Sequence, residues 1–275
     1  MSAFGTILRD TRKARRFSQL ELAVEADVSS RHISFIESGR SRPSRDMVIR
    51  LAKVLDVPLR EVNIMLQTAG FSHEYRESGL DDPALTEVQH ALQHMMDSHD
   101  PYPAVVVDDQ WNVLMANNTQ MAMTQELISR GAEFPASVNM MDMLFAPKAY
   151  RRYITNWDDV ACTLLQRVHK EHLLSARNDE QNELLARLLE YPGIPTDWNS
   201  KETGHSTQPY IPMQVEVDDI ELQLFSTIAT FGTPLDVTLQ NIRIEHIFPA
   251  DEVTRQFFHG LHASINGNSS SALRS

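Results

Sequence analysis

Helix start and stop signals are so closely spaced between Phe4 and Ala69 that only a bundle of short helices fits them. Phe4, Ile7, Leu8 and Thr11 recur at helical spacing, and this first helix ends near Arg15-Arg16-Phe17. Ser18 is placed to N-cap a second helix, Gln19 to Ala26, with Glu21 completing a capping box. Asp27-Val28 breaks the chain, because Asp tolerates the left-handed backbone of a tight turn. Ser29 or Ser30 caps a third helix that sends Ile33 and Ile36 inward and stops at Gly39. Pro43 and Ser44 open a fourth, with Met47, Val48, Leu51 and Leu55 on one face, and Pro58 separates it from a fifth, Leu59 to Ala69. The expectation is an all-α N-terminal domain of five helices over residues 1–70.

Helices two and three are joined by only a few residues, and the small Ala23 lets them cross closely, which is the requirement of a helix-turn-helix. Charge is distributed in keeping with a separate role for this segment. The net charge is −12, yet residues 1–70 hold 12 Lys and Arg against 8 Asp and Glu, while the remaining 205 hold 13 against 29. A basic head on an acidic body favours phosphate attraction at one end only, although a short segment also fluctuates by a few charges without a functional reason.

The run Ser18-Gln19, Leu22-Ala23, Val28-Ser29, Ile33-Ser34, Ile36-Glu37, Gly39 and Pro43-Ser44 resembles the phage-repressor-like (Cro/C1, xenobiotic-response-element) helix-turn-helix family. The resemblance implies that the third helix enters the major groove of double-stranded operator DNA, its exposed N-terminal residues reading base edges. By that match Ser30 and Arg31 face the bases, with Phe35 a further contact, His32 and Ser34 as neighbours and Ser29 among the DNA-binding residues. The Arg31 fork suits guanine O6 and N7, and Phe35 either touches a thymine methyl or packs. Gln19 matches a phosphate-contacting position, and Arg40, Arg42 and Arg45 follow along the DNA backbone, setting affinity and salt dependence. Arg12 and Glu37 match a structural ion pair between helices one and three and stay off the contact list. One head covers a half-site, so a homodimer is expected.

Residues 71–100 read as an acidic connector with a short helix near Leu85 to Met96. Beyond Pro101 and Pro103 come strands Ala104–Val107 and Trp111–Met115 around a turn at Asp108-Asp109-Gln110. Helices follow at Trp157–Leu174 and Glu180–Glu190, then strands Tyr210–Val217, Ile220–Thr230 and Thr238–Phe248. This order predicts an α+β domain with an antiparallel sheet over residues 101–258. Residues 259–275, Ser/Asn/Gly-rich from Ser264, are expected to be a disordered tail.

The strand pair ending in Ala116-Asn117, the block from Leu224 through Phe231-Gly232-Thr233-Pro234 to Asp236-Val237-Thr238-Leu239, and Phe248-Pro249-Ala250-Asp251-Glu252 together resemble the MmyB-like transcription-regulator ligand-binding domain. That resemblance implies a PAS-like sheet flanked by helices around a mostly apolar pocket, suited to a small apolar, fatty-acid-like ligand of a bacterial regulator. Met140, Met141, Met143, Leu144 and Phe145 form a pliable apolar cluster that either lines such a pocket or packs as ordinary core. Asn117 either hydrogen-bonds a ligand or caps the next helix. Asn117, Met141, Leu144 and Phe145 are the ligand-binding candidates.

Other classes fit poorly. No apolar run approaches the 18–20 or so residues of a membrane span, and the N-terminus lacks a secretory pattern, so a cytoplasmic protein without membrane partners is expected. Cys162 is the single cysteine and reads as a small core residue. His90, His94 and His99 are spaced at four and five residues, so His90 and His94 share a helix face, but with no cysteine or clear third ligand nearby they read as solvated, as do His169 and His172; no metal or cofactor is expected. There is no phosphate-binding glycine loop or nucleophile elbow, and no catalytic constellation. The expected function is sequence-specific transcriptional regulation, not enzymatic catalysis. The alternative is a regulator whose second domain only dimerises or holds a partner protein.

Overall fold

The computed structural model describes residues 2–174, 179–200 and 212–272. They form two compact units: a helical one that includes the chain up to Gly79 and the later segment Gly232–Gln240, and a sheet-based one holding Leu80–Lys170, Asp179–Phe231 and the chain from Asn241.

In the helical unit α1 spans Ala3–Ala14, α2 Gln19–Glu25, α3 Ser30–Ser38, α4 Arg45–Val54 and α5 Leu59–Ala69. The first four start in the same way: the hydroxyls of Ser2, Ser18, Ser29 and Ser44 accept the backbone N–H of Gly5, Glu21, His32 and Met47. At α2 the capping box is complete, since Glu21 also accepts the Ser18 N–H at 2.7 Å, and this hydrogen bonding holds its carboxyl below the usual range. Gly39 ends α3 with φ 78°, and Asp27 makes the α2–α3 turn with φ 52°. Phe4, Leu8, Leu22, Ile33, Ile36, Val48, Leu51 and Leu66 close the core. Gly5 permits α1 to reach α3, for a Cβ there would lie 2.5 Å from the Glu37 carbonyl oxygen.

The segment Gly232–Gln240 joins this unit through specific polar contacts. Asp236 is buried and accepts the Ser78 hydroxyl at 2.8 Å and the Thr238 N–H at 2.8 Å, while Gln240 Oε1 accepts the Leu59 N–H at 2.6 Å. It lies in the sequence block assigned above to the second domain, yet packs with the first unit.

The sheet unit opens with α6, Thr86–Ser98, and then β1, Ala104–Val107, and β2, Val113–Ala116. Helices α7 (Asn118–Ser129), α8 (Met140–Phe145), α9 (Trp157–Leu174) and α10 (Asp179–Leu189) precede β3 (Met213–Val217) and β4 (Ile220–Thr230). A one-turn α11, Val237–Asn241, leads to β5, Arg243–Pro249, and α12, Glu252–Ala272. The five strands lie in the order β2-β1-β5-β4-β3 with every neighbouring pair antiparallel. All four residues of β1 are buried, as befits a strand covered on both faces.

Two details depart from the sequence expectation. Trp111 has φ 65° and belongs to the turn, so β2 begins at Val113. Thr238–Asn241 are helical, not extended, because the Asp236 carboxylate receives the Thr238 N–H and starts a turn. The Ser/Asn/Gly-rich stretch that begins at Ser264 is described as far as Ala272, as the end of α12. The strand expected from Tyr210 is seen from Met213; Tyr210 and Ile211 lie outside the described residues.

Candidate functional site

Two regions have the features of a binding site, one in each unit. In the helical unit, α3 turns Ile33 and Ile36 into the core and leaves Ser29, Ser30 and Arg31 exposed at its N-terminal end. His32, Ser34 and Phe35 are half-buried. The Arg31 guanidinium lies 5.1 Å from the Phe35 ring centre and that of Arg40 5.9 Å, so the aromatic ring steadies two cations on one surface. Arg42 is exposed, whereas Arg45 pairs with Glu74.

Behind α3, Glu37 is buried and accepts Arg12 Nε at 2.6 Å and Nη2 at 3.0 Å, the bidentate α1–α3 pair that the family resemblance implied. Gln19, expected at a phosphate, donates its Nε2 to Glu37 at 2.7 Å. The amide is thereby held at the start of α2, and its oxygen is not part of that bond. Exposed donors and cations therefore surround the N-terminal half of α3, which is the chemistry that phosphates and base edges require.

In the sheet unit a cavity of about 600 Å³ lies between the sheet and the helices around it. The volume falls within the roughly 300–1,000 Å³ of small-molecule sites. Aliphatic side chains from α7, α9, β3 and β4 line it, among them Leu127, Val160, Leu164, Val215 and Leu222, with Met123, Met140, Met141 and Met213 giving the wall its pliability. Of the four ligand candidates, Met141 and Leu144 line this cavity and Asn117 and Phe145 do not. Phe145 is buried edge-on against Trp157 at 5.1 Å. Asn117 caps α7, accepting the Gln120 N–H at 3.0 Å, and also accepts the Ala104 N–H while donating to Asp100 and Tyr102.

Sequence reasoning did not reach the polar part of the wall. Gln120, Tyr150, Arg167, Ser226 and Glu245 all line the cavity. Gln120 donates to the Tyr150 hydroxyl at 2.7 Å, and Thr124 bonds the same hydroxyl at 2.6 Å. Burial outweighs both contacts and pushes the Tyr150 phenol up to about 12, so it stays neutral. Burial also pushes the Glu245 carboxyl up, against the opposing pull of Ser226, Arg167 and Arg243. Arg167 and Arg243 lie over the Trp111 ring at 4.6 and 5.5 Å. These residues come from α7, α9, β4, β5 and the short 3-10 helix Tyr150–Tyr153, so no local motif announces them.

The remaining candidates take other places. His90 and His94 are exposed; His99 bonds the Ile247 carbonyl at 2.9 Å and packs edge-on with His246. Burial, then the neighbouring His99, holds the His246 imidazole below its ordinary value. Cys162 is buried. Among the described residues no group of three or more His, Cys, Asp or Glu is arranged to hold a metal ion, and no helix is long and apolar enough to cross a membrane.

Comparison with known proteins matches both regions. A family model described as helix-turn-helix covers residues 8–62, and one described as the MmyB-like transcription regulator ligand binding domain covers residues 88–261. The chain is 40% identical over 83 residues to the uncharacterized HTH-type transcriptional regulator RghRB of Bacillus subtilis (strain 168); the match takes in 28% of this chain and 58% of that relative, less than two thirds of its length. Among solved structures, an RNA-binding light-oxygen-voltage receptor aligns with a TM-score of 0.26 and 11% identity, over 98% of this chain and 64% of that one. With a helix-turn-helix match at its head and a ligand-binding-type domain whose model takes in more than half of its length, the chain belongs to the MmyB-like transcription regulator family.

Proposed function

We propose that this regulator works in the cytoplasm as a homodimer, reads an inverted-repeat operator through the N-terminal half of α3, and changes its operator affinity when a small, mostly apolar molecule occupies the cavity of the sheet unit. The observation that carries the ligand half is the cavity itself: about 600 Å³ of space walled mainly by aliphatic, aromatic and methionine side chains. A domain serving only for dimerisation would have filled such a volume, because voids in a core are destabilising in proportion to their size. An enzymatic reading would need a polar catalytic pocket near Asn117 or Asp236. Instead Asn117 caps a helix and Asp236 binds Ser78 and Thr238.

On the DNA side, Ser29, Ser30, Arg31, His32, Ser34 and Phe35 are assigned to the base-facing surface, and Gln19, Arg40, Arg42 and Arg45 to the phosphates. Two heads related by a dyad place two such helices about 10 base pairs apart or a multiple of that. Ligand control follows if the ligand binds the DNA-competent arrangement of the dimer and the incompetent one with different affinities.

The test is selection of bound sequences from a random DNA pool, with and without added cell lipid extract, paired with native mass spectrometry of the purified chain. The expected result is an enriched inverted repeat, a retained small-molecule adduct on the protein, and a shift in the fraction of DNA bound when the extract is added. An enriched operator with no adduct and no response across extracts overturns the sensor half in favour of a partner-binding module. No enriched sequence overturns the DNA half.

A further inference from the structure

Helix α5 is the exception among the helices of the head. Serine hydroxyls start α1 to α4, whereas the N-cap of α5 is Pro58, which makes no side-chain hydrogen bond. The first N–H groups of a helix have no partner within it and bond to caps, to water or to another part of the chain. At α5 that part is Gln240, 181 residues beyond Leu59, whose Oε1 accepts the Leu59 N–H at 2.6 Å.

Gln240 ends the segment Gly232–Gln240, which is docked within the helical unit at several points. The Asp236 carboxylate accepts the Ser78 hydroxyl at 2.8 Å, the Thr238 hydroxyl donates to the Ser78 carbonyl at 2.6 Å, and the Val237 N–H donates to the Arg76 carbonyl at 2.8 Å. Ser78, Asp236 and Val237 are all buried. The strip before Ser78 is in turn clasped by α5: the Asn63 side-chain oxygen accepts the N–H groups of Glu74 and Tyr75 at 3.0 and 3.1 Å, and its nitrogen donates to the Tyr75 carbonyl at 2.7 Å. α5 itself contributes Val62, Met65 and Leu66 to the core that holds Ile33 and Ile36 of α3. Displacing the segment would part these polar groups together, which favours two discrete arrangements, docked and released, over a continuum.

Along the chain, both ends of the segment lead into strands of the cavity wall. β4, which supplies Leu222, Leu224, Phe225 and Ser226 to that wall, ends at Thr230, and β5, which supplies Glu245 and Ile247, begins at Arg243. The two strands are paired from Leu224 opposite Pro249 to Thr230 opposite Arg243, so the last rung lies two residues from Glu245. Such a ladder cannot slip by one residue without turning its side chains to the opposite face, so a displacement at the wall moves the end of the ribbon. Resting on the sensor reading above, we propose that Gly232–Gln240 is the coupling element of this regulator: filling the cavity shifts the segment between its docked and released arrangements, and that shift changes operator affinity. Coupling requires a two-state element whose equilibrium both sites bias. The segment is continuous with the cavity wall at its two ends and bonded to α5 and to the strip that α5 clasps.

The test uses full-length protein stripped of bound lipid, with 1-dodecanol, an apolar chain carrying one neutral polar group, as the probe. Amide hydrogen exchange is followed with and without a saturating concentration verified by calorimetry, and operator affinity is measured for the native chain and for Ser78→Ala/Gln240→Ala. In the native chain, exchange of the Leu59 and Val237 amides is expected to change by at least about fivefold when the cavity fills, with a change of similar size in operator affinity. The double variant is expected to keep its 1-dodecanol affinity within about twofold and still bind operator, but to respond to the alcohol by less than about twofold, as independent sites do. Gln240→Ala alone, which leaves Ser78 and Asp236 paired, serves if the double variant does not fold, and the exchange measurement needs no variant. Unchanged exchange at Leu59 and Val237 while operator affinity shifts, or a variant that responds as the native chain does, overturns the coupling role alone. No binding of 1-dodecanol, or a filled cavity without effect on native operator affinity, removes the sensor reading as well, which is a separate result.

Discussion

Glu37 illustrates how one buried charge can tie three helices together. Its carboxylate takes two hydrogen bonds from Arg12 and one from Gln19, so α1, α2 and α3 share a single acceptor. Removing it by Glu37→Ala leaves the Arg12 guanidinium, itself buried, without its partner, and the expected cost is about 3–5 kcal/mol in urea unfolding of the head. A loss below about 1 kcal/mol would mean that water compensates Arg12 and that the pair does not hold the helices together. On the exposed side, Arg31→Ala is expected to cost about 1–3 kcal/mol on the selected operator and much less on random duplex, because a base-reading arginine contributes to discrimination. Equal losses on both DNAs would move Arg31 to the phosphate class. Arg42→Ala should weaken both alike and reduce the slope of log affinity against log salt by about 1.

At the scale of elements, the helices of the head were legible because their determinants are local. A hydroxyl three residues before the N–H that it caps, a left-handed Asp27 and a terminal Gly39 are properties of adjacent residues, and all three occur where the sequence placed them. The same local reasoning misassigned Thr238–Asn241 as strand, since alternating apolar residues there obscured the Asp236 side chain that starts a helical turn. The cavity was legible only in part. Met141 and Leu144 fall within a visible apolar cluster, whereas Gln120, Arg167 and Glu245 meet across α7, α9 and β5 through the tertiary fold alone.

The β5 position of Glu245 has a consequence for stability. Burial raises its carboxyl above the ordinary value, so the folded state holds this proton to a higher pH than the unfolded chain does. Its contribution to stability is therefore greatest below the unfolded value and falls as pH rises toward the folded one. Unfolding midpoints followed from pH 4 upward should drop in the native chain relative to Glu245→Gln. Parallel pH curves for the two proteins would show that Arg167, Arg243 and Ser226 offset the burial in full.

For the molecule as a whole, positive charge is concentrated in residues 1–70, with 12 Lys and Arg against 8 Asp and Glu, and negative charge in the rest, with 13 against 29. The coupling between ligand and DNA is a free energy typically worth 1–3 kcal/mol, which corresponds to a change of about 5- to 150-fold in affinity, and it acts in both directions. The most direct measurement is the operator affinity of lipid-stripped full-length protein, followed by fluorescence anisotropy with and without a calorimetrically verified saturating concentration of 1-dodecanol. A change in operator affinity of at least about fivefold, in either direction, is the predicted result; an identical affinity with the cavity demonstrably filled would contradict the account.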